Sequence, residues 1–112
     1  MPEYKIKITD LAEQDLENAG DYIANVLQNP SAAAGMMRDI RRSILKLRYL
    51  PERHELDEDP LLAELGVRKI YFKEYKIFYT IDSDTNTVYV IRILHMLVDS
   101  KMRLYRTFGI VR

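Results

Sequence analysis

The chain has 112 residues, of which 47% are hydrophobic and 30% charged, a composition typical of soluble globular proteins, and we predict one domain over residues 1–112. The absence of cysteine excludes disulfides, thiolate metal sites and cysteine nucleophiles. The formal net charge is zero, but residues 1–66 carry 8 Lys/Arg against 13 Asp/Glu, whereas residues 67–112 carry 9 against 4. This asymmetry fits either a polyanion-binding surface on the basic half or two halves that attract each other in the fold.

The N-terminal segment shows no targeting signal. It lacks the basic and then apolar profile of a signal peptide. No apolar run in the chain approaches the roughly 20 residues that a membrane helix needs. We therefore predict a cytoplasmic location and no membrane partner.

The first elements are predicted to be a short strand and an amphipathic helix. Residues 4–8 alternate with period two, and Thr9 and Asp10 are candidates for the helix N-cap. The apolar stripe of the helix consists of Leu11, Ala12, Leu16, Ala19, Ile23, Val26 and Leu27. The acidic residues that we place off this stripe are Asp15, Glu17 and Asp21.

A second helix is predicted directly after the first, with Asn29 as its N-cap and Pro30 in its first turn. Its apolar stripe consists of Ala33, Met36, Met37, Ile40, Ile44 and Leu47, and it ends before Pro51. Two helices joined this tightly are expected to form an antiparallel hairpin. The polar connector over residues 52–66 contains one predicted helical turn at residues 61–65.

Three segments rich in β-branched and aromatic residues follow, at 67–73, 75–81 and 87–94. A tight turn at Glu74 and a hairpin loop at residues 82–86 join them into an antiparallel meander. A short helix is predicted between residues 96 and 108, with Gly109 as its stop. The order β-α-α-β-β-β predicts an α+β fold with the helical hairpin on one face of an antiparallel sheet, a C-terminal helical extension, and the other sheet face open.

The candidate chemistry lies on the strands, because the sequence contains no phosphate-binding glycine loop, no metal-ligand spacing around its two histidines and no serine in a nucleophile setting. We predict no metal and no cofactor. The basic and aromatic residues of the strands are Arg68, Lys69, Lys73, Lys76, Arg92, Tyr71, Tyr75, Tyr79 and Tyr89. Cations beside aromatic rings suit single-stranded RNA, although a solvated sheet face with core tyrosines has the same composition.

His95 stands at the exit of the last predicted strand, where its side chain could reach the open sheet face. A histidine in that position could transfer a proton near neutral pH. The alternative is a histidine that packs against its neighbours or caps the strand. We assign no role to His54, which lies in the connector.

A family resemblance is carried by four segments: Leu50-Pro-Glu-Arg-His54, Gly66-Val-Arg68, Tyr75-Lys-Ile-Phe-Tyr79 and Thr87-Val-Tyr-Val-Ile-Arg-Ile-Leu-His95. In this order and spacing they resemble the connector and sheet signature of RelE/ParE toxins, over a region from Tyr4 to about Asp99. The resemblance implies the toxin of a type II toxin–antitoxin, or plasmid stabilisation, system. It also implies a cognate antitoxin as partner.

The resemblance implies two kinds of activity. RelE-like toxins cut messenger RNA in the ribosomal A site without a metal, whereas ParE-like toxins inhibit DNA gyrase. We predict the first, a ribosome-dependent endoribonuclease neutralised by its antitoxin. The alternatives are a gyrase inhibitor and an antitoxin-binding homologue without toxicity. The zero net charge departs from the strongly basic character of ribosome-directed toxins, and the long basic segment after His95 is similar to that of ParE-like members.

Residue by residue, the resemblance to the nucleases implies catalytic roles for Lys76 and His95. The residues assigned to RNA phosphates are Arg68, Lys73 and Arg92, and Tyr79 is a candidate for base stacking. In-line attack by the ribose 2′-OH would need a base, an acid and cations that stabilise the developing charge. We also expect an acidic antitoxin segment on the open face, in contact with Arg68, Lys76 or Arg92.

Overall fold

The computed structural model describes residues 3–110. The strands are β1 (Lys5–Ile8), β2 (Arg68–Phe72), β3 (Tyr75–Asp82) and β4 (Thr87–His95). The helices are α1 (Asp10–Asp21), α2 (Pro30–Leu45), α3 (Pro60–Glu64) and α4 (Ser100–Thr107). A π-helical turn (Tyr22–Val26) follows α1, and 3-10 turns (Lys46–Arg48 and Pro51–Arg53) follow α2. The predicted α+β class and the C-terminal helix are confirmed. No helix within residues 3–110 combines the length and the apolar character needed to cross a membrane.

The sheet is mixed, with the strand order β1-β4-β3-β2. Strands β2, β3 and β4 form the predicted antiparallel meander. Strand β1 differs from the expected antiparallel pairing, because it runs parallel to β4 from the Lys5–Thr87 pair to the Ile8–Val90 pair. A parallel pair needs a long crossover connection, and here the helical hairpin and the meander supply it.

The helical hairpin packs on one face of the sheet, as predicted. The Thr9 side chain caps α1 by accepting the Ala12 N–H, and the Asn29 side chain caps α2 by accepting the Ala32 N–H. The buried residues between the hairpin and this face are Ala12, Leu16, Ile40, Ile44 and Leu47 from the helical side and Ile77, Tyr79, Val88, Val90 and Ile93 from the sheet. We call this side of the sheet the hairpin face.

The end of the first apolar stripe is not buried as predicted. Val26 is 64% exposed and Leu27 is 57% exposed. The reason is the π-helical turn that begins at Tyr22, since its wider i→i+5 hydrogen bonding rotates the following side chains relative to an α-helix. The last apolar residues of this predicted stripe therefore lie at the surface, before α2 begins.

The second face of the sheet is not open, which corrects the expectation from the sequence. Helices α3 and α4 cover it, and the buried residues of this second cluster are Leu62, Val67, Phe78, Ile91, Leu94, Leu104 and Tyr105. Asp59 joins the two helices: its carboxylate accepts the Leu62 N–H at 3.1 Å and the Tyr105 hydroxyl at 2.8 Å, and it lies 3.2 Å from the Lys101 ammonium. We call this side of the sheet the α4 face.

Candidate functional site

Strand β4 carries one extra residue opposite β3, and this bulge sets the direction of Arg92. Phe78 pairs with Arg92 and Tyr79 pairs with Val90, so Ile91 has no counterpart on β3. A bulge interrupts the strict alternation of side chains between the two faces of a sheet. The Arg92 side chain is thereby brought between α1 and α4, and the residue is only 8% exposed.

Arg92 is held by both of these helices. Its Nε and Nη2 atoms donate to the carboxylate oxygens of Asp15 at 2.7 and 2.8 Å, and its Nη1 atom donates to Oγ1 of Thr107 at 3.2 Å. The Asp15 carboxylate also accepts the Ile93 N–H at 2.9 Å. This N–H lies on the part of β4 beyond the end of β1 at Ile8. The guanidinium assigned to an RNA phosphate from the sequence is thus engaged inside the protein.

Lys76 lies on the α4 face, at a cleft of about 500 Å³ between the sheet and helices α3 and α4. The cleft contains acidic as well as basic groups. Lys69 donates to Glu58 at 2.6 Å, and this hydrogen bond lowers the pKa of the Glu58 carboxyl. The Lys69 ammonium also lies 3.6 Å from the Asp57 carboxylate. Within residues 3–110, Lys76 forms no ion pair, but its positive charge contributes to the lowered pKa of the Glu58 carboxyl in the same cleft.

His95 borders a different cleft, of about 380 Å³, between α1 and the end of β4. Its Nδ1 atom accepts the Leu97 N–H at 3.1 Å, and its Nε2 atom lies 3.4 Å from Oε2 of Glu74. The Tyr75 ring meets the imidazole edge to face, with 5.4 Å between the ring centroids. Both ring nitrogens are therefore directed towards groups of the protein itself.

The structure does not bring Lys76 and His95 together. Directly paired residues of antiparallel strands point to the same face, and neighbours along a strand point to opposite faces. His95 pairs with Tyr75, which packs against the core of the hairpin face. Lys76 pairs with Leu94, which is buried on the α4 face. The two residues assigned to catalysis from the sequence therefore lie on opposite faces of the sheet.

Arg68 and Tyr79 also make internal contacts. The Arg68 guanidinium donates to the backbone oxygens of Glu52, at 3.1 Å, and of His54. The Tyr79 ring is fully buried, and its hydroxyl donates to the Pro51 backbone oxygen at 2.6 Å. Burial raises the pKa of Tyr79 to about 12. A nucleotide base could reach this ring only if the hairpin face were opened.

Lys73 lies in the two-residue turn between β2 and β3 and not within a strand as predicted. It is exposed, its φ angle is 50°, and its ammonium lies 5.6 Å from the centroid of the Phe72 ring. Among the six residues assigned from the sequence, Lys73 alone is exposed. The described residues contain no group of three His, Asp or Glu side chains that could hold a metal ion.

Sequence reasoning missed Asp15, the carboxylate that holds Arg92. The predicted pattern puts Asp15 off the apolar stripe of α1, whereas its side chain is only 9% exposed. Its spacing of three residues from Ala12 and four from Ala19 puts it on the apolar stripe. An acid on that stripe and a lone arginine in the apolar strand β4 were the available signal for a buried ion pair.

Comparison with known proteins supports the resemblance noted in the sequence. The family model described as the ParE toxin of the type II toxin–antitoxin system parDE matches residues 6–99. Comparison with curated proteins gives no match. The family match begins within β1 and ends at the residue before α4.

Three solved structures share the fold. A chain of the chromosomal ParDE system from P. aeruginosa superposes with a TM-score of 0.70 at 21% identity, over 83% of this chain and 96% of that chain. A chain of the toxin–antitoxin complex RelBE2 from Mycobacterium tuberculosis gives a TM-score of 0.60 at 21% identity, over 83% and 98%. A mutant of the E. coli toxin RelE in the free state gives 0.59 at 13% identity, over 90% and 92%. The family match, together with this shared fold, confirms the RelE/ParE resemblance.

Proposed function

Because this chain belongs to the ParE toxin family of type II toxin–antitoxin systems, we propose that it inhibits a protein target, DNA gyrase, without cutting RNA. A cognate antitoxin neutralises it by binding. The proposal replaces the ribosome-dependent nuclease, which the sequence favoured, with the alternative that the geometry supports better.

The observation that carries the proposal is the separation of Lys76 from His95 by the sheet. Cleavage by an attacking 2′-OH needs the acid–base group and the stabilising cation around one phosphate. Here Lys76 lies on the α4 face and His95 on the hairpin face, each at its own cleft. A single scissile phosphate cannot contact both side chains in this arrangement.

The other assigned residues support the same conclusion. Arg92 is ion-paired with Asp15, and Arg68 donates to backbone oxygens of the connector. Tyr79 is buried in the core, where its hydroxyl donates to the Pro51 backbone oxygen. The basic half of the chain therefore presents fewer free cations than its composition indicated. Inhibition of a protein target requires no acid–base pair, so nothing in this geometry opposes it.

The test compares two readouts for the same purified toxin. In the first, gyrase supercoils a relaxed plasmid with increasing amounts of toxin. In the second, ribosomes translate a defined messenger RNA with the toxin, and the RNA 5′ ends are mapped. We expect loss of supercoiling, or DNA trapped with double-strand breaks, and an unchanged 5′-end map. Toxin mixed beforehand with the product of the neighbouring reading frame is the control, and it should leave supercoiling intact.

The opposite pattern rejects the proposal. Cuts phased with codons, together with normal supercoiling, would show that the chain is a nuclease that assembles its site differently from the free protein. Normal results in both assays would favour the third alternative, an antitoxin-binding homologue without toxicity.

A further inference from the structure

The outer side of α2 carries a row of exposed residues opposite its buried side. Spacings of three and four residues place Arg38, Arg42, Leu45 and Tyr49 on one side of the helix and its continuation, with Lys46 beside them. The buried residues of the same segment, on the opposite side, are Ala33, Ile40, Ile44 and Leu47. We call the exposed set of Arg38, Arg42, Leu45, Lys46 and Tyr49 the α2 stripe.

The α2 stripe carries a net positive charge, although it lies in the acidic half of the sequence. Residues 38–48 contain five of the eight cations of that half and a single acid, Asp39. Two of the five, Arg41 and Arg48, pair with Glu13 and Glu3, and the other three belong to the stripe. Arg38 and Arg42 share this one carboxylate, at 3.7 and 3.8 Å. Lys46 forms no ion pair with any residue of the described range 3–110. The stripe therefore has more positive charge than its neighbours neutralise.

Two large apolar side chains lie within this basic surface. Leu45 is 48% exposed and Tyr49 is 46% exposed. The Arg48 guanidinium lies over the Tyr49 ring, 5.0 Å from its centroid, which restricts the ring's position. The next residue, Leu50, has φ 49° and ψ 53°, a left-handed conformation that is rare for leucine and further disfavoured before Pro51. The helical segment ends at Arg48, and Tyr49 itself is already extended.

We propose that the α2 stripe docks an acidic segment of the cognate antitoxin. Its carboxylates would pair with Arg38, Arg42 and Lys46, and its apolar side chains would cover Leu45 and Tyr49. The inference rests on the antitoxin partnership in the proposed function and specifies the surface that the partner uses. It differs from the sequence expectation, which placed the antitoxin on the open sheet face in contact with Arg68, Lys76 or Arg92.

The chemistry of the stripe favours a protein segment over a nucleic acid. Phosphates would satisfy the cations and a base could stack on Tyr49, but Leu45 has no flat face for stacking. An acidic segment with apolar side chains matches both the charge and the exposed apolar area. Arg68 and Arg92, which were expected from the sequence to contact the antitoxin, already have hydrogen-bond partners within the chain.

The experiment measures affinity between the full toxin chain and the intact protein encoded by the adjacent reading frame, by calorimetry at low and high salt. The first variant is Arg42→Glu combined with Lys46→Glu. We expect affinity at least about tenfold weaker at low salt, with a smaller difference at high salt, because screening weakens exposed charge pairs. The second variant, Leu45→Ala with Tyr49→Ala, should weaken binding to a similar extent at both salt concentrations.

The matched control is Arg103→Glu combined with Arg106→Glu on α4. Like the first variant, it replaces two cations by two acids, so the change in net charge is the same. Both arginines are exposed and form no ion pair within the described residues. The control should bind within about twofold of the unaltered toxin, apart from a general effect of net charge. Circular dichroism and thermal unfolding confirm that each variant is folded before it is titrated.

Each outcome either supports or overturns the inference. If the unaltered toxin binds and both stripe variants bind equally well, the α2 stripe is not the docking surface, while the antitoxin partnership stands. If the unaltered toxin does not bind at all, the partnership itself fails and the inference fails with it. If the stripe variants lose only binding to a single-stranded RNA oligonucleotide, or only self-association in sedimentation, the occupant is not the antitoxin.

Discussion

The Arg92 guanidinium and the Asp15 carboxylate form a bidentate ion pair, with hydrogen bonds of 2.7 and 2.8 Å. The same carboxylate accepts the Ile93 N–H, so one side chain of α1 satisfies both a buried cation and a backbone donor on β4 beyond the end of β1. Thr107 of α4 adds a further hydrogen bond to Arg92. The pair thus links the hairpin, the sheet and the C-terminal helix.

The first prediction concerns this ion pair. Asp15→Ala leaves the Arg92 guanidinium in a site where only 10% of its side chain is exposed, without its carboxylate partner. Loss of one partner of a buried pair lowers the free energy of unfolding by about 3–5 kcal/mol, because the remaining charge stays desolvated. Urea unfolding measures the change.

The control for this prediction is Glu13→Ala, which removes an equally well-formed pair with Arg41 at the surface. The side chains of that pair are 44% and 38% exposed, so its loss should lower the free energy of unfolding by at most about 1 kcal/mol. Equal effects of the two substitutions would show that Arg92 finds another partner or reaches water.

The second prediction compares two neighbouring residues of α2. Ile44 is fully buried on the hairpin face, whereas Leu45 is 48% exposed. Ile44→Ala should lower the free energy of unfolding by about 2–5 kcal/mol through lost packing and the cavity that remains. Leu45→Ala should change it by no more than about 0.5 kcal/mol. Thermal unfolding measures both variants. Equal shifts of their melting temperatures would contradict the assigned helical face.

The third prediction concerns Tyr79 and alkaline pH. Burial raises the pKa of its hydroxyl from 10.0 to about 12 in the folded protein. A raised pKa means that the folded state keeps a proton that the unfolded state releases. The stabilising contribution is complete below about pH 10 and is lost as the pH rises towards about 12.

The measurement for Tyr79 is the free energy of unfolding as a function of pH, for the unaltered chain and for Tyr79→Phe. We expect the variant to be less stable at neutral pH by about 1–3 kcal/mol, because the Pro51 backbone oxygen loses its donor. Its stability should also fall less steeply above about pH 10, since the titrating hydroxyl is absent. Parallel curves for the two proteins would mean that other groups, such as Tyr75, account for the alkaline loss.

The elements and the hairpin face could be predicted from the sequence because they depend on local patterns. Period-two alternation and helical spacing identified Ile40, Ile44 and Ile77 as parts of regular elements, and the caps at Thr9 and Asn29 fixed where the helices begin. The parallel direction of β1 was not predictable in this way. It depends on which edge strand of the meander β1 pairs with, and this is a long-range contact.

The candidate site was harder to predict, for two physical reasons. The face that a strand residue occupies depends on the register between strands. Only the pairing of Tyr75 with His95 puts Lys76 and His95 on opposite faces of the sheet. The bulge at Ile91 then changes the direction of Arg92, and no local pattern marks a bulge. Composition averaged over halves of the chain also concealed the basic cluster on α2 within an acidic region.

The last prediction tests whether Lys76 and His95 act together on RNA. Loss of a general acid–base group such as His95 reduces a rate by about 10²–10⁴, and loss of a charge-stabilising group such as Lys76 by about 10²–10³, so either substitution would abolish toxicity in a nuclease of that design. Because the sheet separates the two side chains, we expect Lys76→Gln and His95→Asn to remain as toxic as the unaltered chain. Asparagine can still accept the Leu97 N–H that His95 accepts at 3.1 Å, so the turn after β4 should be preserved.

The measurement for these two variants is plating efficiency after induction, normalised to the amount of folded toxin in each culture. Co-expression of the neighbouring reading frame should rescue growth equally in all cases, which separates toxicity from antitoxin binding. Asp15→Ala serves as the comparison for loss through instability, since it should lower the amount of folded protein. If both site variants are folded, bind the antitoxin and have lost toxicity, then Lys76 and His95 act in one mechanism, and the chain must rearrange to bring them to the same substrate.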